Sequence, residues 1–277
     1  MYCPLSRRPH LVRSDLETVP DEVFESAILK PRDSQPFFRR FGVKACHVRS
    51  RDHAATKVET LFADGFPVIL QEYIPGPATN HYFIDGFIDR SGTLRAIFVR
   101  RRLRMYPLDF GNSTAMVSVP VAEAAPAVAS ISALLQYAHY RGIFSAEFKR
   151  DSRDGVFKLV EVNTRPWWYV DFAARCGVDV VKLAYDDARG LDVDGIERYS
   201  VGRRLVFPYQ DFFACVHYWR KGELSLRDWL TSWIGAMQPV FQFRDPAPGL
   251  GSFLTTMSRF LRSRVRRLFA DLISHDA

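Results

Sequence analysis

The sequence predicts an α+β fold, with antiparallel hairpins interrupted by a few helices. Three observations carry this. An Asp154-Gly155 turn signal is flanked by the β-prone runs 143–146 and 156–160. Two further strand-like runs, 82–88 and 94–99, are joined by Asp89-Arg90-Ser91-Gly92 as a meander. Apolar residues recur at helical spacing in 121–140 (Val128, Ile131, Leu134, Leu135, Ala138), with Gly142 as the stop, and again in 180–188, with Gly190 past the end.

In chain order, the leading residues are polar, carry Pro4, Pro9 and Pro20, and show no sustained periodicity, so at most a short strand is expected there. Residues 25–31 form a β-like run ending in Lys30, which Pro31 keeps extended. The polar, basic stretch 32–42 suits a mobile loop. A strand-end lysine beside such a loop suits a phosphate clamp, although taken singly it reads first as a snorkelling lysine at a strand edge. After Arg51-Asp52-His53-Ala54 an amphipathic segment runs through Ala63 and is closed by Asp64-Gly65. Residues 67–74 then read as a buried strand emptying into Pro75-Gly76, and the backbone groups of such a connector can read the edge of an adenine.

The run Arg100-Arg101-Arg102-Leu103-Arg104 closes the meander. Alternating arginines at a strand end can present two guanidinium groups on one face, the geometry for a phosphate or acyl phosphate. A blunted edge strand would look the same. The tryptophans Trp167 and Trp168 can wall off water beside the charges or simply fill a core. Beyond Asp192 the pattern is less regular. The stretch 253–273 is a basic amphipathic helix, with Phe253, Leu254, Met257, Phe260, Leu261, Val265, Leu268 and Leu272 apolar among five arginines. Such a helix can pack on its own domain or on a partner, or lie on an anionic membrane surface.

The chemistry centres on Glu147 and on Glu161-Val162-Asn163-Thr164-Arg165. Alternation puts Glu161, Asn163 and Arg165 on one strand face. Glu147 joins that face if the hairpin loop is odd-numbered, as a three-residue loop Arg153-Asp154-Gly155 with Gly155 left-handed would make it. Two carboxylates and an amide oxygen then form a hard-oxygen set suited to Mg²⁺, with Arg165 placed to hold a phosphate. A solvated strand face carries Glu and Asn equally well. The difference lies in the features that accompany the motif.

The order strand-Lys30-Pro31, loop, strand-Glu72-Tyr73-Ile74-Pro75-Gly76, arginine-rich strand, Glu147, then Glu161-x-Asn163-x-Arg165 resembles the ATP-grasp superfamily. In particular it is similar to carboxylate-amine ligases whose ATP-binding region is like that of carbamoyl-phosphate synthetase, over about residues 25–190. The resemblance implies two α+β lobes gripping a nucleotide between antiparallel sheets: a small lobe 1–75, a large lobe 76–195 with the metal site, and a mostly helical extension 196–277. It implies ATP and Mg²⁺ (or Mn²⁺) as cofactors, Lys30 on the ATP phosphates, and Glu72, Tyr73 and Ile74 on adenine. It further implies Glu147, Glu161 and Asn163 as metal ligands and Arg165, Arg102 and Arg104 as reaction-site cations. The activity implied is formation of an acyl phosphate from a small-molecule carboxylate, which an amine then attacks. Mg²⁺ and fixed cations neutralise charge on the transferring phosphoryl group, so no protein nucleophile is called for.

Two departures stand out. Relatives carry an N-terminal α/β domain with an earlier phosphate-contacting lysine, and this pre-ATP-grasp domain is absent from the sequence. That leaves three readings: a lost segment, a separate subunit or further copy of the chain supplying the part, or a nucleotide- or partner-binding module without turnover. Where relatives hold the ribose with an acidic residue, this chain has Thr79-Asn80-His81.

Composition narrows the classes. A 47% hydrophobic content supports a proper core, and no run approaches the ~18–20 apolar residues of a membrane span, so the cytosol is the default location. The four cysteines lack Cys-x-x-Cys spacing, which argues against zinc. The net charge of +7 suits an anionic partner, but the basic residues are dispersed among acidic ones and no nucleic-acid recognition motif occurs.

Overall fold

The computed structural model describes residues 13–240 and 245–251, with 254, 255 and 258. Cys3, the polar leading residues and nearly all of the basic helix expected at 253–273 lie outside them. The chain divides into two units, one of residues 1–77, 107–112 and 149–158, the other of 78–106, 113–148 and 159–277.

The first unit holds a three-stranded antiparallel sheet in the order β2-β1-β3, with β1 Ala27–Pro31, β2 Cys46–Val48 and β3 Val68–Glu72. The short helices α1 (Arg13–Leu16) and α2 (Asp21–Phe24), then α3 (Ser34–Phe41) and α4 (Arg51–Ala63), complete it. Its core gathers Leu16, Phe24, Leu29, Phe37, Val58 and Val68. The stretch expected as a loop at 32–42 is mostly the helix α3. Asp33 caps it by accepting the Gln35 N–H, and Gly42 ends it in the left-handed conformation at φ 72°. Phe37 is fully buried, and its ring lies 4.7 Å from that of Phe41, so an i,i+4 aromatic pair outweighs the polarity of the segment.

The second unit is built on a six-stranded sheet in the order β8-β7-β4-β5-β6-β9. Its strands are β4 His81–Ile88, β5 Leu94–Tyr106, β6 Asn112–Ser118, β7 Gly142–Arg150, β8 Phe157–Asn163 and β9 Arg204–Val206. The helices are α5 (Ala125–Tyr137), α6 (Val170–Arg175), α7 (Val180–Ala188), α8 (Pro208–Arg220) and α9 (Leu226–Trp233). One core cluster packs Phe87, Phe98 and Met116 from the strands against Trp167, Phe172 and Val180. Gly86 is fixed by close approach: a Cβ there would sit 2.4 Å from the Ala96 carbonyl oxygen and 2.7 Å from the Phe144 ring.

The meander continues further than its apolar run. Arg100 to Arg104 lie inside β5, which has β4 on one side and β6 on the other, so the blunted-edge reading falls. β6 and β9 carry no clear sequence signal, being short or polar.

Candidate functional site

In the second unit, alternation along β5 sends Arg100, Arg102 and Arg104 to one face of the sheet, and all three are buried. Each has its own carboxylate. Arg100 Nε donates to Asp85 Oδ2 at 2.7 Å, and Ser145 Oγ donates to Asp85 Oδ1 at 2.6 Å. The Arg100 guanidinium lies 4.0 Å from the Phe83 ring centre. Burial pushes the Asp85 carboxyl up, opposed by the charge of Arg100.

Arg102 Nε donates to Ser113 Oγ at 2.8 Å, and its Nη2 donates to Glu147 Oε1 at 3.1 Å. His81, at the start of β4 and one residue before the Tyr82↔Arg101 pair, meets the same Oε1 through Nδ1 at 2.7 Å. Burial resists ionisation of Glu147, but the charge of Arg102 and the His81 hydrogen bond outweigh it and hold the carboxyl down at about 2. Glu147 is thus a carboxylate fixed in a cationic frame.

Arg104 is committed elsewhere. Its Nε and Nη2 donate to Asp211 at 2.6–3.1 Å, and the Thr114 hydroxyl and Trp233 indole N–H donate to the same carboxylate at 2.7 Å each. This geometry makes Arg104 a buried tie between β5 and α8 and does not favour the reaction-site role expected for it.

β8, next to β7 in the sheet, carries an exposed Glu161 and a half-buried Asn163. The hairpin differs from expectation by one residue. The Asp151 N–H donates to the Val156 carbonyl and the Gly155 N–H to the Asp151 carbonyl, so the loop is the four residues 152–155, with Gly155 left-handed at φ 73°. An unbroken ladder from that pair would set Val160, and not Glu161, across from Glu147. Bringing the two carboxylates to one face takes one bulged residue along the hairpin. Among the described residues no three His, Cys, Asp or Glu side chains cluster as a ready-made metal site, so the set rests on two carboxylates and an amide. Arg165 is exposed and donates to the Pro166 carbonyl. Trp167 is core, whereas Trp168 is 66% exposed.

In the first unit, Lys30 is half-buried opposite Ile69. Tyr73 N–H donates to the Ser26 carbonyl, and Ser26 Oγ donates to the Tyr73 carbonyl at 2.9 Å, which prolongs the β1–β3 ladder by one pair. Antiparallel alternation then turns the backbone N–H and C=O of Glu72 and Ile74 toward the other edge of β3, where no further strand of the sheet lies among the described residues. Tyr73 contributes its ring: Lys149 Nζ sits 4.8 Å from its centre, and His47 and Phe110 pack beside it. The Glu72 side chain is bound by Arg153 and, at 3.4 Å, by Lys158, which hold its carboxyl below the usual range.

His81 and Lys149 escaped the sequence reading as site residues. Glu147 stands 66 positions from His81, and no local pattern reports such a pair.

Solved structures share this architecture. The N5-carboxyaminoimidazole synthetase of Staphylococcus aureus, complexed with ADP, matches 70% of this chain and 48% of its own with a TM-score of 0.51 at 13% identity. The biotin carboxylase domain of 2-oxoglutarate carboxylase from Hydrogenobacter thermophilus, complexed with MgADP, ADP and bicarbonate, matches 69% of this chain and 42% of its own with a TM-score of 0.52 at 16% identity. The fold is ATP-grasp. In sequence, the chain is 25% identical over 120 residues to a D-aspartate ligase of Enterococcus faecium (strain Aus0004), 43% of this chain and 28% of that protein. It therefore spans about half or less of the relatives it matches. No family model matches it. No helix among the described residues is long and apolar enough to cross a membrane.

Proposed function

We propose that the chain is an ATP- and Mg²⁺-dependent (or Mn²⁺-dependent) ligase that activates a small-molecule carboxylate as an acyl phosphate for attack by an amine. The observation that carries this is Glu147: half-buried, ionised and, among the described residues, hydrogen-bonded at Oε1, so that Oε2 is the oxygen offered to a cation. Carboxylate and amide oxygens are the donor chemistry of Mg²⁺.

The open edge of β3 gives an adenine the Glu72 carbonyl and the Ile74 N–H, with Tyr73 as a flanking ring. Lys30 contacts the phosphates. Glu147, Glu161 and Asn163 would hold the metal, which requires one bulged residue along the β7–β8 hairpin. A cation held there would supply neutralisation of charge on the transferring phosphoryl group. Arg165 steadies the phosphates, and Arg102, fixed by Ser113, carries positive charge to the same face as Glu147. The carboxylate oxygen of the substrate attacks the γ-phosphorus and ADP leaves; the amine then attacks the acyl carbon and phosphate leaves.

The similarity to a D-aspartate ligase makes D-aspartate the first carboxylate to assay. ATP cleavage that depends on an added carboxylate, with an acyl hydroxamate formed when hydroxylamine replaces the amine, is the expected result. ATP cleavage indifferent to every carboxylate tested, or no nucleotide binding, would refute the reading.

A further inference from the structure

The His81–Glu147 contact bears on which metal the proposed site would take, and so rests on that reading. A carboxylate can give a cation one oxygen or both. Ca²⁺ accepts bidentate carboxylates readily, whereas Mg²⁺ and Mn²⁺ in near-octahedral sites take one oxygen per carboxylate and keep waters or phosphate oxygens in the other positions.

At Glu147 both bonds fall on one atom, Oε1: His81 Nδ1 at 2.7 Å and Arg102 Nη2 at 3.1 Å. Because the acceptor is an ionised carboxylate, the imidazole must donate Nδ1–H. Arg102 is held in turn by Ser113, and its guanidinium lies 5.1 Å from the Phe83 ring centre, so it cannot swing away without losing both contacts. His81 is 12% exposed in its side chain and is seated at the first position of β4. The oxygen facing these two donors is thereby spent.

We propose that His81 is a positioning residue that, with Arg102, restricts Glu147 to a single metal-binding oxygen and biases the site toward small octahedral cations over Ca²⁺. Loss of an outer partner of a metal ligand costs about ten- to a hundred-fold in metal affinity, and His81 belongs to that class of partner.

The test uses the full chain with ADP and follows bound Mn²⁺ by electron paramagnetic resonance, with Ca²⁺ added as competitor. His81→Leu keeps bulk and removes the donor; His81→Asn keeps a donor near the place of Nδ1. The expected result is Mn²⁺ held about ten-fold or more weaker in His81→Leu, a smaller preference for Mn²⁺ over Ca²⁺, and both restored toward wild type in His81→Asn. Unchanged Mn²⁺ affinity and preference in a folded His81→Leu overturns the inference, as does an Asn variant as impaired as the Leu one. A wild-type chain that takes up no Mn²⁺ with ADP removes the metal reading itself, a separate result.

Discussion

Lys158 Nζ lies 2.7 Å from the carboxylate of Asp151, and Asp151 is fully buried. Arg153 donates to the same carboxylate through Nε and Nη2, and its hydrogen bond, with that of Lys158, outweighs burial and holds the Asp151 carboxyl well below the usual range. A depressed folded-state pKa gives stability that is present above the ordinary value of 3.8 and lost as the pH falls below it. Asp151→Asn is expected to cost about 2 kcal/mol at neutral pH, less than a fully buried pair because Arg153 is half exposed. The acid limb of its urea midpoint against pH should flatten below pH 4 relative to wild type. An acid limb unchanged in the variant would assign the acid sensitivity to other groups.

Asp211 collects Arg104, Thr114 and Trp233 in one buried knot. Asp211→Ala leaves the Arg104 charge buried without its carboxylate and is expected to destabilise the chain by about 3–5 kcal/mol. Metal-dependent nucleotide binding in the variant that remains folded at low temperature should stay near wild type. A selective loss of binding with normal stability would return Arg104 to the reaction site.

Glu161→Gln removes one of the two proposed carboxylate ligands while preserving shape. Mn²⁺ uptake with ADP is expected to fall by at least ten-fold with no change in thermal midpoint beyond about 1 °C, since the residue is exposed and surface changes lie within about 0.5 kcal/mol. Normal Mn²⁺ uptake would mean that β8 stays in unbroken register and turns Glu161 away.

Lys30→Ala is expected to weaken ATP binding by about ten- to a hundred-fold, the scale of one charge-assisted contact of about 1.5–3 kcal/mol, and to leave adenosine affinity as it was. Titration calorimetry with both ligands distinguishes the outcomes, and a parallel fall for adenosine would mark the lysine as a support of β1.

Some local elements were legible because their signals are local. Val180 to Ala188 is helical as its spacing requires, the hairpin turns at Gly155, and a strand, Val68–Glu72, precedes Pro75-Gly76, although within it only Val68 is buried. The helix α3 was equally local, with Asp33 as cap and Gly42 as stop, but a polar, proline-containing stretch masked the Phe37–Phe41 stripe. That the arginine-rich end of β5 lies in a central strand was not legible, because charged residues enter such a strand only when carboxylates elsewhere receive them. Those partners, Asp85, Glu147 and Asp211, are 15, 45 and 107 residues away.

The sequence by itself determined the periodicities, the turns and the order of chemical groups that resembles ATP-grasp, since these depend on neighbours within a few bonds. Tertiary structure decided which charge answers which: that Arg104 serves Asp211, that His81 and Arg102 share one oxygen of Glu147, and that Glu72 and Ile74 turn their backbone to an open edge. Such choices follow from strand order and register, which set distances between residues far apart in the chain, and electrostatic and hydrogen-bond energies depend on those distances.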